Sequence, residues 1–190
     1  MSQHQEDVRF MAVAISEARR GLAGGGIPIG AIVVAKGEII GRGHNQRVQR
    51  GSSVLHAEMD AFENTGRQPP SVYAHATIYS TLSPCTMCGG AIVHYGLPRV
   101  VIGENRTVAH TTMCEDWLRE HGVEVVNLDL AECFDLMADF IRRSPQVWNE
   151  DIGRQHVALS RVVIPLLQLA HRIVPSNFGQ YVLLNVTYKE

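Results

Sequence analysis

The chain has few aromatic residues, only four cysteines, no basic stripe and no unbroken apolar run of membrane length. Each shortage excludes something. With lysines and arginines unclustered and a formal net charge of −2, the charge pattern calls for no polyanionic partner, so no nucleic acid is expected. The most apolar stretch, Val157 to Val174, is interrupted by Arg161, Pro165, Gln168, His171 and Arg172, which argues against a membrane span. Four cysteines do not suggest a disulfide framework beside a start, Met1-Ser2-Gln3-His4-Gln5-Glu6-Asp7, that is polar and acidic where a secretory leader is basic and then apolar. The expectation is a cytoplasmic protein in a reducing compartment. Cys85 and Cys88 would remain available as thiols there, and Cys114 and Cys133 would be ordinary core or surface thiols. No internal repeat or low-complexity tract interrupts the chain. Its 190 residues fit about one domain, long enough to bury a core without covalent staples.

In chain order, Val8, Met11, Ala12, Ile15 and Ala18 recur at helical spacing between Glu6 and Leu22, and Gly24-Gly25-Gly26 ends the helix. Ile29 to Ala35 and Glu38 to Gly41 read as a hairpin turning at Lys36-Gly37. Asn45 stands where the second strand runs out. Turn chemistry makes it a turn residue, while its amide, both donor and acceptor, also suits the edge of a heterocycle. After the loop Gln46 to Val54, a helix is expected from His56 to about Asn64, then a surface connection from Thr65 to Ala76. The strand Thr77 to Leu82 delivers Pro84 and Cys85 to the start of another helix. Strands follow at residues 99–103 and 123–126, with a helix over 116–121 between them. A last amphipathic helix through Leu130, Phe134, Met137 and Ile141 stops before Ser144-Pro145. Such an order predicts an α/β fold, a mixed sheet covered on both faces. Residues 1–153 form the expected domain, and 154–190 an appended helical extension covering a surface or a subunit contact.

The chemistry is concentrated in His56-Ala57-Glu58 and Pro84-Cys85-Thr86-Met87-Cys88. One imidazole and two thiolates form a zinc-binding set one ligand short of a closed tetrahedron, and an open position for water distinguishes catalytic from structural zinc. Cysteines at i and i+3 face one side of a helix, and a helix start favours the thiolate. Zinc held this way lowers the pKa of its fourth ligand, water, toward ~7, giving hydroxide. Glu58 is placed to move protons between that water, a ring nitrogen and a leaving amine. The electrophile this arrangement suits is a ring carbon bearing an exocyclic amine, and the reaction is hydrolytic loss of ammonia. His-x-Glu followed by Pro-Cys-x-x-Cys matches the established signature of the zinc-dependent base deaminases. The competing readings are a structural zinc closed by Cys114, Cys133, His75, His94 or His110, and a Cys-x-x-Cys redox motif, which the upstream His-x-Glu disfavours.

Beyond that signature, several stretches together resemble the fungal-type cytosine deaminases of the cytidine deaminase-like superfamily. They are Gly43-His44-Asn45, Leu55 to Glu58, Glu63-Asn64-Thr65-Gly66-Arg67, Thr81 to Cys88, Tyr95-Gly96-Leu97-Pro98-Arg99, Gly103-Glu104-Asn105 and Pro145 to Gly153. The resemblance spans roughly residues 6–153. It implies a three-layer α/β/α fold with a five-stranded mixed sheet, a homodimer, and conversion of cytosine to uracil in pyrimidine salvage. By matching positions, His56, Cys85 and Cys88 would hold one Zn²⁺ and Glu58 would shuttle protons. Asn45 and the Ala57 N–H would bind the ring carbonyl edge, the Ser83 main-chain carbonyl and Asp151 the exocyclic amine, and Trp148 would wall the pocket. Three positions depart from the family. Val48 replaces an aromatic residue, the loop after Asn105 is longer and lacks a phenylalanine near Val108, and Ala57 replaces glycine, as in the tRNA adenosine deaminases. A wider pocket would admit another aminated base, such as isocytosine or a guanine-like base. A tRNA adenosine deaminase and a zinc-stabilised interaction module are the further alternatives; the former would need a basic surface. If the extension carries no part of the metal site, deleting residues 154–190 leaves zinc content unchanged by elemental analysis, and loss of zinc on truncation would overturn that assignment.

Overall fold

Ser2 sets the start of the first helix. Its hydroxyl accepts from the Gln5 N–H (3.3 Å) while the Gln5 side chain accepts from the Ser2 N–H (2.9 Å), so two orphan donors are satisfied reciprocally. The computed structural model describes residues 2–107 and 112–152; the expected extension, Val108 and His110 lie outside them. In this structure α1 runs Gln3–Ala23, and its buried face differs from the one periodicity predicts. Val8 and Ala12 are exposed, whereas Asp7, Phe10, Met11, Ala14, Ile15, Glu17 and Ala18 are buried. The stripe is shifted because a carboxylate occupies it. Asp7 accepts from Arg99 Nη1 (2.8 Å) and Nη2 (2.9 Å) and from the Tyr79 hydroxyl (3.0 Å). Burial pushes its carboxyl up, but the hydrogen bonds from Arg99, Gln3 and Tyr79 hold it below the usual value. A count of apolar residues does not register a buried acid with partners that distant in sequence.

The sheet comprises β1 (Gly30–Ala35), β2 (Glu38–His44), β3 (Ala76–Ser80), β4 (Arg99–Ile102) and β5 (Glu124–Asn127), in the order β2-β1-β3-β4-β5. β1 is antiparallel to both β2 and β3, while β3–β4 and β4–β5 are parallel. This is the expected five-stranded mixed sheet. Lys36 and Gly37 both have positive φ (53° and 79°), the requirement of the tight turn that matches strand twist. Alternation along β1 builds the two cores. Ala31, Val33 and Ala35 face a cluster that includes Ala57, Ala61, Ile92 and Leu118. Ile32 and Val34 face Phe10, Met11, Ile15 and Cys133.

The remaining helices are α2 (Arg47–Arg50), α3 (Ala57–Thr65), α4 (Pro70–Tyr73), α5 (Thr86–Tyr95), α6 (Thr112–Glu120), α7 (Ala131–Arg143) and α8 (Pro145–Asp151). Three of them were not expected. Single-turn α2 and α4 fall in segments read as connections, and α8 follows the proline read as a stop. Pro145 occupies the first helical position of α8, where its missing N–H costs nothing. α6 also starts before the expected Asp116. None of the described helices is long and apolar enough to cross a membrane.

Glycines bring α3 against the sheet. A Cβ on Gly43 would clash with the Ala61 nitrogen and come within 2.6 Å of the Ala57 carbonyl, and one on Gly41 would clash with Thr65. The helix therefore lies on β2 backbone to backbone. Asp60 ties the two together by accepting from the His44 N–H (3.1 Å). Gly43→Ala should push α3 outward, lowering stability by ~1–3 kcal/mol as overpacking does and reducing zinc retention; denaturant unfolding and elemental analysis check both.

Candidate active site

Two helices start at this site, and the residue before each carries a candidate metal ligand. His56 precedes α3 with extended backbone (φ −64°, ψ 166°), and Cys85 precedes α5 likewise (φ −74°, ψ 172°). Neither side chain caps its own helix. They meet instead: His56 Nδ1 lies 3.5 Å from Cys85 Sγ, and Cys88 Sγ, from the first turn of α5, lies 3.8 Å from Cys85 Sγ. Among the described residues these three form the one cluster of possible metal ligands, with donor atoms within 4.8 Å of one another. The spacing fits zinc. Zn–S near ~2.3 Å and Zn–N near ~2.0–2.1 Å at tetrahedral angles require S···S of ~3.8 Å and S···N of ~3.6 Å.

The electrostatics suit a cation as well. Contact with Cys88, and with the His56 ring, outweighs burial and draws the Cys85 thiol down to about 4. The same sulfur contact, together with burial, pushes Cys88 up. Cys114 behaves differently. Burial raises its thiol to about 11, and its sulfur lies 3.5 Å from the Cys85 carbonyl oxygen as a donor. Cys114, Cys133, His75 and His94 are outside the ligand cluster, and His110 is outside the described residues.

Glu58, in the first turn of α3, is 4% exposed and accepts a hydrogen bond from Ser80 Oγ (3.0 Å). Burial and the neighbouring Cys85 push its carboxyl above the usual range. It lines a cavity of about 350 Å³ with His56, Cys85, Ser83, Trp148 and Asp151. The structure thus brings together six of the nine candidates around one space. Cys88 is fully buried behind them. Asn45 and Ala57 are also fully buried, and neither is a lining residue.

Asn45 shows both features of its sequence reading. Its Oδ1 accepts from the Arg47 N–H (3.0 Å) in a local turn, while among the described residues its buried Nδ2 has no hydrogen-bond partner. Ala57 opens α3, so helix geometry leaves its N–H without an intrahelical acceptor. The Ser83 hydroxyl donates to Glu115 (2.9 Å) and the Ser83 N–H to the Glu104 carbonyl (2.9 Å). Asp151 accepts from Arg47 Nη1 (2.6 Å). Val48 is exposed and lines a separate adjoining cavity, not this one.

Sequence reasoning missed Arg47, Ser80 and Glu115. Arg47 and Asp151 are far apart in the chain, and Ser80 and Glu115 look like an ordinary strand residue and a helix-surface acid. Only the Asn45-x-Arg47 proximity to a predicted ligand could have drawn attention.

Residues 4–104 match the family described as the cytidine and deoxycytidylate deaminase zinc-binding region. The chain is 50% identical to cytosine deaminase from Candida albicans over 149 residues, 78% of this chain and 97% of that protein. It is 34% identical to a tRNA-specific adenosine deaminase from Streptococcus pyogenes over 146 residues, 73% of this chain and 92% of the relative. Among solved structures, one from a study of A-to-I editing by tRNA:A34 deaminases at the wobble position superposes with TM-score 0.56 at 26% identity, covering 68% of this chain and 99% of that one. A guanine deaminase from Nitrosomonas europaea superposes with TM-score 0.59 at 21% identity, covering 69% and 82%, a likeness of fold.

Replacing Cys88 with alanine should abolish stoichiometric zinc by elemental analysis. Cys114→Ala should retain it, and zinc loss there would mean that the fourth position is closed by protein.

Proposed function

The chain belongs to the cytidine and deoxycytidylate deaminase zinc-binding family, and from that membership we propose that it hydrolyses free cytosine to uracil and ammonia. It is a zinc-dependent deaminase with one Zn²⁺ per chain. One observation carries the reading: a buried carboxylate, Glu58, shares a cavity with two members of a three-donor set whose spacing suits zinc and which, among the described residues, includes no fourth ligand. His56, Cys85 and Cys88 would hold the metal. When bound, zinc supplies a water that ionises near neutral pH.

Every other step falls to the chain. Glu58 takes a proton from the attacking water and delivers it to the ring nitrogen, then takes the remaining proton of the hydroxyl now on that carbon and gives it to the departing exocyclic amine as the C–N bond breaks. Ser80 holds Glu58 Oε1 through this exchange. The unpartnered Asn45 Nδ2 and the Ala57 N–H donate to the ring carbonyl. The Ser83 main-chain carbonyl and the Asp151 carboxylate accept from the amine, and Trp148 covers the ring. A cavity of about 350 Å³ lies at the small end of the ~300–1,000 Å³ typical of ligand sites, which favours a free base over a base within a polynucleotide.

The same reading places the protein in the cytoplasm, in pyrimidine salvage, as a homodimer. Exposed Tyr95 on α5 and Trp117 on α6 offer apolar surface a second copy would cover. Residues 154–190 remain, in this reading, an extension outside the catalytic domain.

The test is ammonia release by zinc-loaded protein from cytosine, isocytosine, cytidine, guanine, adenine and creatinine. Cytosine should be preferred, and Glu58→Gln should lose at least ~100-fold in kcat while keeping zinc. Turnover of nucleosides with free bases ignored would refute the assignment.

A further inference from the structure

Two cavities adjoin at a single ion pair. The site cavity of about 350 Å³ and a neighbouring one of about 400 Å³ share Arg47, Ser53 and Asp151 as lining residues. Arg47 stands on the single turn α2, its N–H held by Asn45 Oδ1 (3.0 Å). Its Nε donates to the Ser52 carbonyl (3.4 Å), and Nη1 donates to both the Asp151 carbonyl (3.0 Å) and Asp151 Oδ1 (2.6 Å). One guanidinium nitrogen thereby bridges the backbone and the carboxylate of the same residue, which fixes the direction of that carboxylate. The side chains are 19% and 6% exposed, sheltered enough that solvent screens the pair little. Val48 and Val147 lie on the far side, lining only the outer cavity.

We propose that Arg47 is a positioning residue that presets Asp151 and closes the site behind the exocyclic amine, so that the enzyme rejects amines bearing an alkyl group. The proposal rests on the reading above, in which Asp151 receives that amine. Before substrate arrives the carboxylate is already oriented, so its alignment is not acquired during reaction. An alkyl group on the amine would project into the space the ion pair occupies. Removing the guanidinium joins the inner cavity to the outer one at that point. The reaction itself is unaltered. With N4-methylcytosine, water adds at the amine-bearing carbon, one of its protons goes to the ring nitrogen and the other to the departing nitrogen, the C–N bond breaks, and uracil and methylamine result.

The experiment uses the full chain, zinc-loaded, as wild type, Arg47→Ala, Arg47→Lys and, as a control on the exposed face of α2, Arg50→Ala. Zinc content, thermal unfolding and steady-state kinetics on cytosine and N4-methylcytosine are measured. Arg47→Ala should lower kcat on cytosine by ~10–100-fold, a loss of alignment more than of binding. It should raise the ratio of kcat/KM for N4-methylcytosine over cytosine by about tenfold or more, the scale of discrimination that room for one methyl group provides. Arg47→Lys should fall between the two, since an ammonium can meet the carboxylate without reproducing the planar fork. Arg50→Ala should match wild type. A merely structural Arg47 would slow both substrates equally, and an unchanged ratio overturns the proposal. Should Arg47→Ala lose zinc or unfold, the ratio for Arg47→Lys decides on the same terms. Failure of the underlying reading looks different: zinc-loaded wild type would itself leave cytosine untouched.

Discussion

The site depends on two helices beginning at the same point. His56 and Cys85 are both extended residues immediately before a first helical turn, so each side chain is carried by backbone that the helix behind it holds rigid. Facing one another, they leave 3.5 Å between imidazole nitrogen and sulfur. That separation requires α3 to be seated on β2 and α5 to follow directly from β3. The glycines of β2 permit the first by letting helix backbone touch strand backbone. Thr81 to Pro84 secure the second, with the Thr81 N–H bonded to the Gly30 carbonyl and the Ser83 N–H to that of Glu104. A ligand set built on element starts rather than on free loops holds the precision a metal site needs.

Buried acids do much of the fastening around it. Asp7 binds α1 to β3 and β4 through Tyr79 and Arg99. Asp60 joins α3 to β2. Glu115 accepts from the Ser83 hydroxyl and from Asn105 (3.0 Å), linking α6 to the loops after β3 and β4. Glu104 accepts from the Arg106 and Thr107 N–H groups, turning the chain as it leaves β4. Each such carboxylate is hydrogen-bonded, which is the condition on which a charge is tolerated away from water. Glu58 belongs to the same population, held by Ser80 Oγ and in hydrogen-bond contact with the Cys88 thiol. It faces a cavity, and its carboxyl is raised where that of Asp7 is lowered. The difference in surroundings separates an acid paired within the packing from one that borders open space.

The outer wall of the cavity is assembled from α8, the last of the described helices. α8 brings Trp148 and Asp151 to the cavity, and Arg47 joins that helix to the loop leading into His56. Chain segments about a hundred positions apart thus meet at the edge of the cavity. The direction of the Asp151 carboxylate is set where they meet, at residues that line both adjoining cavities. Val48 lines the outer cavity of this junction and is not among the residues lining the inner one.

Residue type and spacing by themselves determined the donor set, the carboxylate two residues after the histidine, and the alternation of strands and helices. These are local properties: a helix period, a β-branched run, a glycine turn and a Cys-x-x-Cys on one helical face are all written within a few neighbouring positions. Tertiary structure decided the rest. It turned α1 to bury Asp7 in place of Val8, restarted a helix at Pro145, paired Arg47 with Asp151, and placed Ser80 under Glu58. Each of these depends on partners remote in the chain, whose meeting follows from the packing of the sheet and its two helical layers. Local pattern can name a carboxylate, but only its folded neighbours settle whether it fastens the structure or faces the substrate.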